Sequence, residues 1–389
     1  MFNIRTYNAL SAKGLERFSD DKYIVGEACE APEGFMLRSQ KLHSEAVPDS
    51  LLAVARAGAG VNNIPVEQYT EQGIVVFNTP GANANAVKEL IVAGLLLGSR
   101  DIYGGMSYVQ ELDHMDDSGE MGKLLEKEKK RFAGSEVTGK TLGVVGLGAI
   151  GSIIANLALD LGMDVIGYDP AISVEAAWQL SSRVERMESL EKLLASADFV
   201  TLHVPAIPAT KHLINHETLS GMKSTAKILN FAREEIVNTD DMVDALETGS
   251  IAGYISDFPT PALLGRKNVL LMPHIGASTA EAEENCAVMA ADQLKDFLEN
   301  GNIYNSVNYP PTKMSRNGGS RITFSNNNVP KVLGSVLSIL ADSEINVVDM
   351  VNKSRGEIAY NIIDVEGDIS TQLKEKIAQV DGVMRVRLL

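Results

Sequence analysis

The chain has few cysteines, few aromatic residues and no long apolar run. Its 389 residues include 2 cysteines and 1 tryptophan, and aromatic residues make up 5% of the total. Two cysteines without a CxxC pattern form neither a disulfide framework nor a cysteine metal site, so we expect a cytoplasmic protein without a bound metal. The longest strongly apolar run, residues 90–98, is shorter than the roughly 20 residues that a membrane span requires. The N-terminal residues also lack the layout of a signal peptide.

Positive charge is scarce relative to negative charge. Lysine and arginine total 35, aspartate and glutamate total 51, and the formal net charge is −16. Binding to nucleic acids or to anionic membranes requires a basic face, so this composition argues against both functions. A local basic pocket for a small anion remains compatible with it.

The order of predicted elements divides the chain into three domains and a linker. Short apolar runs bounded by glycine and proline alternate with helical segments through most of the chain, which predicts two α/β domains with doubly wound, Rossmann-like parallel sheets. The first comprises residues 1–95 with 280–306, and the second comprises residues 96–279. Residues 307–320, rich in Asn, Pro, Ser and Gly, predict a linker. Residues 321–389 follow a βαββαβ order, which predicts an antiparallel sheet with helices on one face.

A long helix is predicted over residues 278–301. Ser278 and Glu281 have the spacing of a capping box at its start. Gly301 is suited to ending it, because glycine adopts the left-handed conformation found after many helices. Most of this helix belongs to the discontinuous first domain.

The strongest motif is a glycine-rich loop between a predicted strand and a helix. Its GxGxxG pattern permits a tight turn, a close approach of the backbone to a pyrophosphate, and packing of the helix on the strand. The helix N-terminus offers free N–H groups to the phosphates. A tight turn without a ligand is the alternative reading, but the strand, the helix and a following acidic residue together favour dinucleotide binding. The loop residues are Gly146, Gly148, Ala149, Ile150 and Gly151.

Asp169 ends the strand that follows the loop, where an acidic side chain can bind the ribose hydroxyls of the adenosine. Its charge would repel a 2′-phosphate, and no arginine follows it in the next residues. We therefore expect NAD rather than NADP as the cofactor.

Arg233 and His274 each follow a predicted strand, at the sheet edge where ligands collect in open α/β sheets. Oxidation of a secondary alcohol needs a base for the hydroxyl proton, and histidine is suited to that task. Arginine binds a carboxylate through two parallel hydrogen bonds. The two residues are therefore candidate catalytic groups, against the alternatives of a structural histidine and a surface ion pair.

Several motifs in a fixed order resemble the D-isomer-specific 2-hydroxyacid dehydrogenases along essentially the whole chain. They are Ala55–Asn63, Asn78–Pro80, the Gly146 loop, Phe231–Arg233, Asp257–Phe258 and Pro273–Thr279. The resemblance implies an NAD-dependent oxidoreductase in which His274 is the base and Arg233 holds the substrate carboxylate. It also implies that further residues line the cofactor site, namely His203, Val204, Pro205, Phe231, Ala232, Asp257, Gly276 and Ala277.

The sequence departs from that family beside its catalytic residues. Most members have a glutamate shortly after the position of Asp257, and that glutamate holds the catalytic histidine. This chain has none there, and it carries Glu234 and Glu235 where two glycines usually follow the arginine. Two explanations are open: either Glu234 or Glu235 replaces the missing partner, or His274 works without a carboxylate.

The phosphoglycerate-oxidising members of the family bind the substrate phosphate with arginines that match Arg38 and Arg56. Gly58, Ala59 and Gly60 would offer backbone N–H groups to the substrate carboxylate. The resemblance therefore implies oxidation of 3-phospho-D-glycerate by NAD, the first step of phosphorylated L-serine biosynthesis. The alternative for Arg38 and Arg56 is a role in structural ion pairs.

The C-terminal βαββαβ segment resembles an ACT domain, which senses amino acids in related dehydrogenases. Asn326, Asn328 and Asn346 match positions of a serine pocket, so L-serine is a candidate effector. Lys331 stands where the family has a glycine, which leaves a role in assembly alone as the alternative. The family also implies a homodimer or a homotetramer.

Two other functions compete with this prediction. One is a glyoxylate/hydroxypyruvate or D-lactate type of reductase on the same fold. The other is a non-catalytic NAD-binding scaffold, with which the missing glutamate is compatible. Retention of Arg233 and His274 favours an enzyme.

Overall fold

The computed structural model describes residues 1–389, apart from the side chain of Glu175. The chain divides into two compact units. The first unit consists of Met1–Asn83 and Thr279–Leu389, and the second consists of Ala84–Ser278.

The N-terminal part of the first unit is built on a parallel sheet of five strands in the order β2-β1-β3-β4-β5. The central strands are buried on both faces, which explains why β3 and β4 are almost entirely apolar. The elements are β1 (Phe2–Thr6), α1 (Ala12–Leu15), β2 (Tyr23–Gly26), β3 (Gly34–Leu37), β4 (Ala53–Arg56), α2 (Val66–Glu71) and β5 (Val75–Phe77).

The second unit contains a parallel sheet of seven strands in the order β12-β11-β10-β9-β6-β7-β8. Helices connect most of the strands, as in a doubly wound α/β fold, so the predicted parallel-sheet class is confirmed. The elements are α3 (Ala84–Ser99), α4 (Ile102–Gln110), α5 (Ser118–Glu128), β6 (Thr141–Val145), α6 (Ala149–Asp160), β7 (Asp164–Tyr168), α7 (Val174–Gln179), β8 (Glu185–Arg186), α8 (Leu190–Ser196), β9 (Phe199–Leu202), α9 (His216–Ser220), β10 (Lys227–Asn230), α10 (Thr239–Glu247), β11 (Gly253–Ser256) and β12 (Val269–Leu271).

The chain returns to the first unit through a long helix, α11 (Ala280–Asn300). Its cap differs from the predicted capping box of Ser278 and Glu281. The side chain of Thr279 accepts a hydrogen bond from the backbone N–H of Ala282 at 3.1 Å, so the helix begins one residue later. The prediction for its end is confirmed, because Gly301 has a left-handed φ of 74° and donates its N–H to Phe297.

A four-stranded antiparallel sheet in the order β14-β15-β13-β16 forms the C-terminal part of the first unit. The predicted βαββαβ order is confirmed. Helices α12 and α13 contribute to the apolar core on one face of the sheet. The elements are β13 (Ser320–Asn327), α12 (Val332–Asp342), β14 (Val347–Arg355), β15 (Ile358–Val365), α13 (Thr371–Ala378) and β16 (Val383–Leu388).

The opposite face of this sheet holds the carboxyl end of α11. Arg387 donates to the carbonyls of Phe297 and Leu298 at 3.0 and 2.7 Å, and Arg321 donates to that of Asn300 at 2.9 Å. The carbonyls of Leu298 and Asn300 are among the last of the helix and have no partner within it, whereas that of Phe297 also accepts the N–H of Gly301. Two buried arginines therefore anchor the end of α11.

The stretch that composition predicts as a linker is packed into the first unit. The side-chain amide of Asn308 donates to the carbonyl of Ile74 at 2.9 Å, and its oxygen accepts the N–H of Val76 at 2.9 Å. Tyr309 is fully buried, and Met314 is nearly so. The side chain of Asn308 thus hydrogen-bonds the backbone at the edge of β5, and the segment forms neither a helix nor a strand.

None of the helices among the described residues is both long enough and apolar enough to cross a lipid bilayer.

Candidate functional site

The candidate residues of the second unit follow neighbouring parallel strands. Gly146 follows β6, His203 follows β9, Arg233 follows β10, Asp257 follows β11 and His274 follows β12. These five strands are adjacent in the sheet, and their carboxyl ends share one edge. The structure therefore brings the phosphate loop and both candidate catalytic residues to the edge where ligands bind in such sheets.

Two glycines of the phosphate loop are required by contacts inside the protein. Gly146 has φ of 90°, and a Cβ atom there would lie 2.7 Å from the carbonyl oxygen of His203. A Cβ atom on Gly151 would lie 1.9 Å from the carbonyl oxygen of Gly146. Any side chain at either position would collide with backbone, so these residues shape the turn.

Gly148 is different, because a Cβ atom there would meet no described atom within 4 Å. It is the N-cap of α6 and supplies no side-chain cap to the first N–H groups of that helix. The loop thus leaves open space in front of uncapped N–H groups and a helix dipole, as a pyrophosphate requires. The residues present fit a dinucleotide.

Asp169 links the phosphate loop to the adjoining strand. Its carboxylate accepts the N–H of Leu147 at 2.8 Å and that of Ala171 at 2.9 Å, one on each oxygen. A carboxylate has about four acceptor positions, so both oxygens keep capacity for ribose hydroxyls. The same side chain therefore orders the loop and remains able to bind the ribose.

The backbone around Arg233 is ordered by Asn230. The amide of Asn230 donates to the carbonyl of Arg233 at 2.9 Å, and its oxygen accepts the N–H of Ala232 at 3.2 Å. The half-buried guanidinium of Arg233 donates only to the carbonyl of Ala232, at 2.6 Å, among the contacts of the described residues. Most of its donors are available to a carboxylate.

His274 is exposed and has φ of 57°, a left-handed conformation that costs free energy for a residue with a side chain. The buried carboxylate of Asp257 stabilises this turn by accepting the N–H groups of Ile275 and Gly276 at 2.8 and 2.7 Å. The ring of Phe258 packs against the imidazole with centroids 4.9 Å apart. Neighbouring backbone and an aromatic ring thus position the imidazole.

The missing glutamate is not replaced in space by any described residue. No carboxylate oxygen in the described part of the chain lies within 4.0 Å of a ring nitrogen of His274. Glu234 and Glu235 are exposed, and neither side chain forms an ion pair there. In this structure neither Glu234 nor Glu235 holds the imidazole of His274, and whether the histidine works without a carboxylate stays a prediction.

We therefore expect Glu234→Gln and Glu235→Gln each to leave the low-pH limb of the kcat/KM profile where it is in the wild type. Burial lowers the pKa of His203 to about 3, so that residue stays neutral and does not supply a limb near neutral pH. The measurement is kcat/KM from pH 5 to 9, with NADH affinity as the control for folding. A shift of the limb in either variant would show that a glutamate does assist His274.

The remaining predicted cofactor residues lie in the segments that follow β9, β10 and β12. His203 is held by Thr201, whose Oγ1 lies 2.9 Å from Nε2. Phe231 and Gly276 are buried, whereas Pro205 is exposed. The half-buried members are Val204, Ala232 and Ala277. Their roles toward a cofactor remain predictions.

The candidate anion residues lie together in the first unit. Arg56 donates through Nε to the carbonyl of Arg38 at 2.9 Å and also donates to the carbonyl of Gly60. Gly58 has φ of 155°, which only glycine adopts readily. Its N–H, predicted to be offered to a substrate, donates to the carbonyl of Arg56 at 3.0 Å. The N–H groups of Ala59 and Gly60 donate to no described acceptor. Two guanidinium groups and two such N–H groups form a setting suited to an anion.

Arg38 also has an acidic partner that the sequence did not reveal. Its Nη1 lies 2.8 Å from Oε1 of Glu283 on the first turns of α11. The ion pair that the sequence left open as an alternative role is therefore present for Arg38. Both side chains are more than 40% exposed, so the pair contributes little to the stability of the fold.

The three asparagines predicted for an effector are not brought together within the chain. Asn326 is buried, and its oxygen accepts a hydrogen bond from Asn361 at 2.7 Å. Asn328 lies near it and donates to the carbonyl of Gly356 at 3.0 Å. Asn346 precedes β14 at the opposite end of the sheet, about 20 Å away at about 3.3 Å per residue.

Sequence reasoning missed Phe258 and Glu283 as neighbours of the candidate site. Phe258 was noted only as part of a motif, although its position directly after Asp257 and the end of β11 was a usable signal. Glu283 gave no such signal, because its contact with Arg38 joins residues distant in sequence. No cluster of three or more metal-ligating side chains is found among the residues that the structure describes.

The doubly wound sheet, the glycine loop, and an arginine and a histidine at one edge of that sheet are the features of an NAD-binding dehydrogenase. The NAD binding domain of the D-isomer specific 2-hydroxyacid dehydrogenases matches residues 105–276. A D-3-phosphoglycerate dehydrogenase from Haemophilus influenzae is 33% identical over 357 residues, which cover 89% of this chain and 82% of that protein. The chain belongs to the D-isomer-specific 2-hydroxyacid dehydrogenase family and is homologous to its D-3-phosphoglycerate dehydrogenases.

Two further proteins are similar to this chain. A D-3-phosphoglycerate dehydrogenase from Synechocystis is 40% identical over 287 residues, which are 72% of this chain and 49% of that protein, so the chain spans about half the length of this relative. The solved structure of the TT0316 protein from Thermus thermophilus matches with a TM-score of 0.65 at 28% identity, covering 79% of this chain and 100% of that one.

Proposed function

We propose that this chain oxidises 3-phospho-D-glycerate with NAD to 3-phosphohydroxypyruvate, the first step of phosphorylated L-serine biosynthesis. The observation that carries the proposal is the 33% identity to a D-3-phosphoglycerate dehydrogenase over 357 residues, 82% of that protein's length. The retained Arg233 and His274 support it, because a scaffold that only binds NAD needs neither residue. NAD, when bound, supplies the acceptor for the hydride that leaves C2 of the substrate.

Arg233 and His274 divide the work on the reacting end of the substrate. In the proposed reaction, the guanidinium of Arg233 binds the carboxylate through two hydrogen bonds and polarises the oxygen on C2. A ring nitrogen of His274 accepts the hydroxyl proton as the carbonyl forms. The hydrogen bonds of Asp257 to the backbone after His274 keep the imidazole at the sheet edge during this transfer.

Arg38 and Arg56 are proposed to bind the phosphate of the substrate, and the N–H groups of Ala59 and Gly60 to bind its carboxylate. A dianionic group in a chain with a formal net charge of −16 needs such a local concentration of positive charge. The two cations lie together, since Nε of Arg56 donates to the carbonyl of Arg38 at 2.9 Å.

A panel of 2-hydroxy acids tests the substrate assignment. We expect NADH formation from 3-phospho-D-glycerate with kcat/KM at least about a hundredfold above that for D-glycerate, because charge-assisted phosphate contacts contribute several kcal/mol in total. The measurement is initial rates at 340 nm with 3-phospho-D-glycerate, D-glycerate and D-lactate. Equal or better activity with D-glycerate or D-lactate would reassign the substrate. The absence of activity with all three acids would favour the non-catalytic NAD-binding scaffold.

We propose a functional division of the chain in which residues 1–95 with 280–306 bind substrate and residues 96–279 bind NAD. Residues 307–320 would connect these to residues 321–389, proposed as an ACT domain. The βαββαβ topology supports the last assignment. Lys331 adopts φ of 79°, a conformation suited to the glycine that the family has there. Inhibition by L-serine would assign feedback control to this domain, and its absence would leave a role in assembly.

We propose a homodimer or homotetramer in the cytoplasm. Helix α4 supports assembly, because its Tyr103, Met106 and Val109 are exposed apolar residues on one short helix. Cys29 and Cys286 are free and buried, as expected in a reducing compartment.

A further inference from the structure

Arg38, one of the two arginines proposed to bind phosphate, has an acidic partner in the first unit. Its Nη1 lies 2.8 Å from Oε1 of Glu283. A phosphate that takes the position of this carboxylate on Arg38 must first displace it.

The carboxylate of Glu283 is kept near Arg38 by a helix that is anchored along its length. Its carboxyl end is held by the buried guanidinium of Arg387, which donates to the carbonyl of Leu298 at 2.7 Å. The apolar side of α11 is buried, including Ala282 and Cys286 next to Glu283. Because the backbone is fixed, the carboxylate stays at a high effective concentration around Arg38.

The ion pair is nonetheless weak enough for substrate to break. The side chains of Arg38 and Glu283 are 43% and 44% exposed, and exposed ion pairs contribute little because water and salt screen them. A phosphate group carries roughly 1.5 to 2 negative charges at neutral pH against one for a carboxylate. Phosphate therefore displaces the carboxylate of Glu283 from Arg38. Because the ion pair must be separated first, the affinity for phosphate is lower than it would be without Glu283.

We propose that Glu283 is an internal competitor for the phosphate site, a residue that sets the affinity for phosphorylated substrates by neutralising Arg38 when the site is empty. This inference rests on the proposed function, since it assumes that Arg38 binds the substrate phosphate. In the proposed reaction Glu283 has no role at the reacting carbon, so its effect falls on KM. It also limits the preference for phosphorylated over unphosphorylated acids, because an acid without a distal anion never meets the competition.

Glu283→Gln tests the proposal, and Glu284→Gln is the matched control. Both glutamates are on the first turns of α11, and each pairs with one cation. We expect Glu283→Gln to bind inorganic phosphate up to about fivefold more tightly and to lower KM for 3-phospho-D-glycerate by a similar factor. The value of kcat should stay within about twofold, and kcat/KM for D-glycerate should be unchanged. The effect should shrink in roughly 0.5 M salt, where exposed charges are screened.

Isothermal titration with inorganic phosphate needs no turnover, so it separates this proposal from the proposed function. Tighter phosphate binding by Glu283→Gln alone, in a chain inactive on 3-phospho-D-glycerate, would uphold the competitor and reject the reaction. Unchanged phosphate affinity in an active Glu283→Gln variant would overturn the competitor and leave the reaction intact. An equal gain in Glu284→Gln would also overturn it, because a general change in net charge would then explain the effect.

Discussion

His274→Asn should lower kcat by two to four orders of magnitude while leaving the affinity for NADH within about twofold. Loss of a general base costs roughly that much, because the hydroxyl proton then has no acceptor in place as the hydride leaves. Asparagine suits the position, since it tolerates the left-handed φ of 57° better than most residues. The measurements are steady-state kcat and a fluorescence titration with NADH.

Phe258→Leu and Phe258→Tyr serve as controls for the position of the imidazole. The ring of Phe258 lies 4.9 Å from that of His274, centroid to centroid. If the aromatic face orients the base, Phe258→Tyr should retain most of kcat and Phe258→Leu should lose more. Retention of wild-type kcat by His274→Asn would contradict the account of the base, whatever the result at Phe258.

Asp364→Asn should destabilise the chain by about 3 to 5 kcal/mol. Asp364 and Arg321 are 1% and 0% exposed, and they form two hydrogen bonds of 2.6 and 2.7 Å across β15 and β13. Removing one partner leaves an uncompensated charge in the interior, which is the costly way to change a buried pair. Chemical denaturation followed by circular dichroism measures the loss in free energy of unfolding.

Two further variants separate the buried pair from a general effect of charge. Asp368→Asn removes an exposed carboxylate from the loop between β15 and α13. It should change the free energy of unfolding by less than about 0.5 kcal/mol. Arg321→Met combined with Asp364→Leu should recover only part of the loss, because apolar residues can replace a buried pair but the carbonyls of Asn300 and Met314 lose the donor that Arg321 supplies. The structure indicates that the pair is shielded from water. A change of less than about 0.5 kcal/mol in the free energy of unfolding of Asp364→Asn would contradict this.

The fold was largely predictable because glycine, proline and apolar runs mark parallel strands locally. The strand from Thr141 to Val145 and the GxGxxG loop after it follow from a few consecutive residues. Boundaries failed where two side chains compete for one role. Ser278 and Thr279 both suit an N-cap, and only the geometry of α11 shows that Thr279 takes the role.

The candidate site was predictable in its members but not in its contacts. Arg233 and His274 could be placed at strand ends, because a parallel sheet aligns those ends without any knowledge of side-chain packing. The ion pair of Arg38 with Glu283 joins residues far apart in the chain, and nothing local announces it. The absence of a carboxylate partner for His274 likewise depends on where Glu234 and Glu235 point.

Transfer of deuterium from C2 of the substrate tests the central claim most directly. The claim is that Arg233 and His274 act on a 2-hydroxy acid whose C2 hydride passes to NAD. With 3-phospho-D-[2-²H]glycerate, the account predicts that wild type forms NADH with one deuterium, seen by mass spectrometry as an increase of one mass unit. It predicts that His274→Asn forms the same product two to four orders of magnitude more slowly. NADH without deuterium, or labelled NADH formed equally fast by His274→Asn, would contradict it.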